Sequence, residues 1–192
     1  MTPEERSRKL RIETDEVLKM INLNRHCAPI GKIAPTGSYY MDLMMYPDID
    51  LYLPHTTIEK LFALAAKFAK IKCVKEVVFQ KGSAWDKGDL AKGYYLKPIV
   101  EYGSWGRPWK VDIWSLPINI IEKKNKHLRK LKERMTPRQR KLILEYKFSI
   151  LTDQLRTPMF SGIYIYRAVI DHGMTDYKKI TKYLKENRIK MK

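Results

Sequence analysis

An α+β fold, in which a mixed sheet with flanking helices is followed by a bundle of helices, is what the sequence predicts, and three observations lead there. Helix starts are marked by a threonine followed three residues later by Glu or Gln, at Thr2, Thr56 and Thr136, the spacing that lets side chain and backbone cap one another. Five segments with strand texture occupy the first two thirds of the chain, and beyond Leu116 that texture stops. With 44% hydrophobic and 11% aromatic residues in 192, the chain can bury a core of ordinary size, which excludes intrinsic disorder.

In chain order, a first helix is expected from residue 3 to about 23, opened by Pro3 in the first helical position. Strands are expected over 28–36 and 48–53, then a helix over 57–70 and a strand over 74–80. Two more strands, 94–102 and 109–116, flank Gly103, Gly106 and Pro108, which suit a hairpin connection. From Pro117 the chain reads as successive helices. One covers 137–153, again with proline first, another ends at Gly173, and the last starts at Thr175 or Asp176. The chain therefore divides into a sheet-and-helix part, residues 1–116, and a helical part, residues 117–192, with so short a connection that the two can pack as one unit.

The segment Asp48-Ile49-Asp50-Leu51-Tyr52-Leu53 carries the first sign of chemistry. Alternation along a strand sends Ile49, Leu51 and Leu53 to one face and Asp48 and Asp50 to the other. Two neighbouring carboxylates repel one another unless a cation relieves them, or unless both are simply solvated at a strand end. Lys110-Val111-Asp112-Ile113-Trp114 repeats the alternation and offers a third acid on a second strand. Pro35-Thr36-Gly37-Ser38 ends another strand in a glycine turn whose backbone N–H groups suit phosphate.

This ordered set, Gly37-Ser38, then Asp48 and Asp50, then Asp112, resembles the nucleotidyltransferase superfamily that includes DNA polymerase beta, over residues 28–116. Tyr39, Tyr40, Met41 and Asp42 stand where members often carry a glycine and a basic residue. The resemblance implies a nucleotidyltransferase-like sheet and a catalytic domain over residues 1–116. It also implies transfer of a nucleoside monophosphate from a nucleoside triphosphate to a hydroxyl acceptor. Two magnesium ions, for which manganese can substitute, would be held by Asp48, Asp50 and Asp112, with Asp112 as general base. Gly37 and Ser38 would receive the triphosphate. Downstream, residues 138–173 are similar to the helical segment that follows the catalytic domain in archaeal CCA-adding enzymes. That similarity points to Lys141 as a triphosphate contact, with Lys147 as the alternative.

Charge bears on the acceptor. The 38 Lys and Arg outnumber the 21 Asp and Glu, for a net charge of +17, which attracts polyanions and makes RNA the favoured partner after the triphosphate. The basic run from Lys123 to Arg134 either cradles a nucleic-acid backbone or is a solvated amphipathic helix anchored by Ile121, Leu128, Leu131 and Met135. Two other readings remain open, a basic RNA-binding protein of the same fold without activity and a small-molecule nucleotidyltransferase. The aromatics at 94, 95, 102, 105, 109 and 114 read chiefly as core or sheet surface, and Met41, Met44 and Met45 as packing around the Gly37-Ser38 loop. Cys27 and Cys73 show no metal or disulfide spacing, and the four histidines show no ligand spacing. With no apolar leader or spanning stretch, the expected location is the cytoplasm, without membrane contact.

Overall fold

The computed structural model describes residues 1–85 and 88–191. Helix α1 (Pro3–Met20) opens with the expected reciprocal cap, Thr2 accepting from the Glu5 N–H and the Glu5 carboxylate accepting from the Thr2 N–H at 2.8 Å. Its buried stripe, Ser7, Leu10, Glu13, Thr14 and Val17, follows helical spacing and turns toward the sheet. A short helix α2 (Leu23–Cys27) follows. A strand was expected over 28–36 and forms only in part. Only β1 (Ala34–Pro35) pairs. Pro29 and Pro35 lack the N–H that a ladder needs, and Gly31 takes φ +154°, where a Cβ would fall 2.8 Å from Pro54 Cγ, so the segment is confined to a brief contact at the sheet edge.

Helix α3 (Gly37–Met41) follows, then β2 (Asp48–Pro54), α4 (Ile58–Ala69), β3 (Val74–Lys81), β4 (Tyr94–Val100) and β5 (Trp109–Leu116). Short 3-10 turns, Gly82–Trp85 and Gly88–Lys92, lie between β3 and β4. The cap of α4 is Thr57, whose side chain accepts from Lys60, one residue later than the Thr56–Glu59 spacing suggested. The five strands form one mixed sheet in the order β1-β2-β5-β4-β3. Here β2 and β5 are parallel, every other pair is antiparallel, and β4 and β5 make the expected hairpin.

One sheet face is apolar. Ile49, Leu51 and Leu53 of β2, Leu96 and Val100 of β4, and Val111 and Ile113 of β5 pack with Leu10 and Val17 of α1 and Leu61, Leu64 and Phe68 of α4. The opposite face is mixed: Tyr52, Tyr95 and Trp114 form a smaller cluster with Leu116, Ile120 and Ile121, and the acids lie beside it.

After β5 the chain is helical: α5 (Ile118–Arg134), α6 (Pro137–Ser149), α7 (Ser161–Tyr166) continued by a π-helical turn at Arg167–Asp171, and α8 (Tyr177–Glu186). The Thr136–Gln139 reciprocal cap forms as the sequence indicated, and of the two starts offered for the last helix, Thr175 and Asp176, it is Asp176 that caps it. Leu128 and Leu131 of α5, Ile143 and Leu144 of α6, Ile165 of α7 and Ile180 and Leu184 of α8 share one core, and Met41, Leu43 and Met45 from the sheet part enter it. The division at residue 116 is thus one of texture, and the second core is completed across it. No helix among the described residues is long and apolar enough to cross a membrane.

Because that core is shared, Leu131→Ala, which empties a fully buried position, is expected to destabilise by about 2–5 kcal/mol. Every tryptophan precedes residue 117, so indole fluorescence reports the sheet part. In a denaturant titration its midpoint should fall together with that of far-UV circular dichroism; a fluorescence midpoint left in place would mean that the helices unfold alone.

Candidate functional site

On β2 and β5 the apolar residues point into the core, which forces Asp48, Asp50 and Asp112 to the other face. The parallel register sets Asp50 opposite Asp112 and Asp48 opposite Lys110. One carboxylate oxygen from each of the three acids lies within 4.8 Å of the others. They form the floor of a cavity of about 680 Å³, roofed by residues from α5 and from the segment leading into α7.

The three acids are half-buried and close enough to act on one another. Burial first, then Asp112 and Asp50, hold the Asp48 carboxyl well above the usual carboxylate range, with Lys110 and Arg107 opposing. Burial and Asp112 push Asp50 up to about 7, against Lys147. Burial also raises Asp112, while a hydrogen bond from Tyr95 and the charges of Lys97, Lys110 and Arg107 pull it down. Three carboxylates that resist ionising together, all offering hard oxygen donors, fit a divalent cation such as Mg²⁺ or Mn²⁺.

The glycine–serine turn lies against this cluster. Gly37 has φ +58°, and a Cβ there would fall 2.0 Å from Asp50 Oδ2, so only glycine lets the turn approach the carboxylate. Ser38 Oγ lies 2.9 Å from Tyr166 Oη and accepts from Lys147 Nζ at 2.9 Å. Lys147, on α6, is 1% exposed and also donates to the Leu43 carbonyl at 2.5 Å. Burial pushes its ammonium down to about 7, with Asp50 and Asp48 opposing. Two of its three donors are thus engaged, and it places its charge behind Ser38 rather than in the cavity lining.

Gly37, Ser38, Asp48, Asp50 and Asp112 therefore line a single cavity. Lys141 does not join them: its side chain is 63% exposed and pairs with Glu145 at 4.0 Å. The two lysines are six residues apart on α6, so they leave the helix roughly 120° apart, and Lys147 takes the inward direction. Sequence reasoning missed Tyr95, whose Oη donates to Asp112 Oδ1 at 2.7 Å. It also left unassigned Lys97, Arg107, Lys110 and Arg156, which rim the cavity together with Lys123 and Lys124 of the basic run. Strand alternation puts Tyr95 and Lys97 on one face of β4, a signal that was available. Trp114, Trp105 and Trp109 are buried, as the core reading of the aromatics requires.

Comparison with models of protein families, with curated proteins and with solved structures finds no match to this chain.

The raised Asp48 carboxyl carries a sign. Between its ordinary range and its folded value the native state keeps a proton that the unfolded chain has lost, so metal-free stability falls as pH rises through that window. Asp48→Asn should raise the melting temperature of the metal-free protein at about pH 8, and the gain should be nearly gone by about pH 3, where the unfolded carboxyl too is largely protonated. Thermal melts with and without chelator across that range decide it; a loss of stability at about pH 8 would contradict the repulsion. Gly37→Ala, strained and overlapping Asp50, should weaken magnesium-dependent stabilisation, read in the same melts.

Proposed function

We propose that this chain is a metal-dependent nucleotidyltransferase of nucleotidyltransferase-like fold, moving a nucleoside monophosphate from a nucleoside triphosphate to a hydroxyl acceptor. The observation that carries the reading is the convergence of three acids from two strands beside a glycine–serine turn in one cavity, with a buried lysine hydrogen-bonded to the serine from behind.

In this reading Asp48, Asp50 and Asp112 hold the divalent ions, which when bound neutralise charge on the transferring phosphoryl group and on departing pyrophosphate. The turn at Gly37-Ser38 receives the triphosphate, and Lys147 contributes positive charge from beneath it. The acceptor oxygen bonds to the α-phosphorus while the bond to pyrophosphate breaks, and the hydroxyl proton passes to Asp112. Tyr95 fixes the orientation of that carboxylate through Oδ1, and burial, which raises its proton affinity, suits a group that must accept a proton near neutrality. Lys141 takes no part.

A basic RNA-binding protein without activity is the second reading, favoured by the net charge of +17 and the basic cavity rim. Against it stands the repulsion among three half-buried acids, which a binding surface for a polyanion would not tolerate at its centre. RNA and small molecules both remain acceptor classes for the enzyme.

With magnesium and each α-labelled triphosphate in turn, label is expected to move to a hydroxyl acceptor. Asp48→Ala or Asp50→Ala should lower transfer by about 10³-fold or more while circular dichroism stays unchanged. Full transfer in either folded variant would remove the mechanism. Lys147→Met is expected to weaken triphosphate binding by about tenfold or more, the loss of one charge-assisted contact, measured by calorimetry with a non-hydrolysable triphosphate.

A further inference from the structure

Cations stand on two sides of the three acids. On the side of the glycine–serine turn there is Lys147, against Ser38. On the far side are Lys97 of β4, Lys110 of β5 and Arg107 in the loop before β5, all facing the cavity. The sheet order puts β2 and β5 between the turn that follows β1 and Lys97 on β4. That is three strand spacings, about 14 Å. A triphosphate seated on Ser38 and Lys147 therefore leaves the far group uncovered.

The far group puts three like charges on one part of the cavity lining. Asp112 is acted on by Lys97, Lys110 and Arg107, whereas Asp50 is acted on by Lys147. Among the described residues no ion pair joins any of the three far cations to an acid. Arg107 is held instead by the Gln154 carbonyl at 3.0 Å and by the Tyr46 ring, and Lys97 by the Tyr95 ring. Asp48 and Asp112 are the anions that act on these cations; once a divalent ion engages those acids, three positive groups lining the cavity beside the acid assigned to the acceptor are left to attract a phosphate.

We infer that Lys97, Arg107 and Lys110 form a phosphate subsite for the acceptor, so that the hydroxyl substrate carries a phosphate near the reacting oxygen. This rests on the nucleotidyltransferase reading and narrows it: amino sugars and other cationic acceptors are repelled, while an RNA end and a phosphorylated small molecule share the required chemistry. Lys123, exposed, and Lys124, partly buried, stand in the second turn of α5 and line the same cavity, and would extend the contact for a polymer.

Three acceptor probes separate the outcomes, in magnesium with an α-labelled triphosphate: an oligoribonucleotide with a free 3′ hydroxyl, a nucleoside 5′-monophosphate, and an unphosphorylated amino sugar. Label is expected on one of the first two, which tells polymer from small molecule, and not on the third. The Lys97→Ala/Lys110→Ala variant should raise the acceptor KM by about tenfold or more and leave the Kd of a non-hydrolysable triphosphate unchanged. For the oligoribonucleotide, the slope of log affinity against log salt should also become shallower by about 1.4, two phosphate contacts being lost. Equal labelling of the amino sugar, or an unchanged acceptor KM in the variant, overturns the inference. So does triphosphate binding by the native chain without transfer to either phosphorylated probe. Failure to bind triphosphate at all removes the nucleotidyltransferase reading, and this inference with it.

Discussion

Mutual repulsion among Asp48, Asp50 and Asp112 is the constraint around which the rest is arranged. Nothing in the acids themselves brings them together; the pairing of β2 with β5 does. That pairing is fixed from behind, where Ile49, Leu51, Val111 and Ile113 are almost wholly enclosed against α1 and α4. A slip of one residue would exchange the faces of a strand and bury the carboxylates in the apolar core. Hydrophobic burial thus holds a charge arrangement that electrostatics alone would disperse, and the cations around the cavity moderate the repulsion without neutralising it by contact.

How far this was legible in the sequence depends on the range of the interaction. Alternation along β2 and β5 is local, and it assigned the faces of Asp48, Asp50 and Asp112 correctly. Caps are local too, and Thr2, Thr136 and Asp176 were found where their partners lie three residues on. The segment over 28–36 misled because its apolar residues suggest a strand, while Pro29, Gly31 and Pro35 deny it most of its ladder. Lys147 could have been preferred to Lys141 from helical periodicity, since it follows Ile143 by four and Leu144 by three, both buried. The grouping of Lys97, Arg107 and Lys110 was beyond reach, because it depends on the tertiary placement of a loop and two strands.

The two textures of the chain meet at the site. The sheet part supplies the acids, the turn and the cations Lys97, Arg107 and Lys110, and the helical part supplies Lys147, Tyr166, the cations Lys123, Lys124 and Arg156 and the roof of the cavity. Tyr166 and Lys147 both reach Ser38, one from α7 and one from α6, so the hydroxyl is oriented by two helices at once. A cleft assembled in this way has a geometry that neither part determines by itself.

One consequence concerns the stretch just past the glycine–serine turn. Met41, Leu43 and Met45 are enclosed by the helices, and their rotamers are therefore selected when the chain folds. Little conformational freedom remains to be surrendered there when a ligand arrives, so association at this turn resembles entry into a finished mould more than the closing of a loop. Affinity on this side should accordingly be sensitive to small changes of helix packing far from the ligand, since a shift in any of the three methionine and leucine seats would reshape the mould.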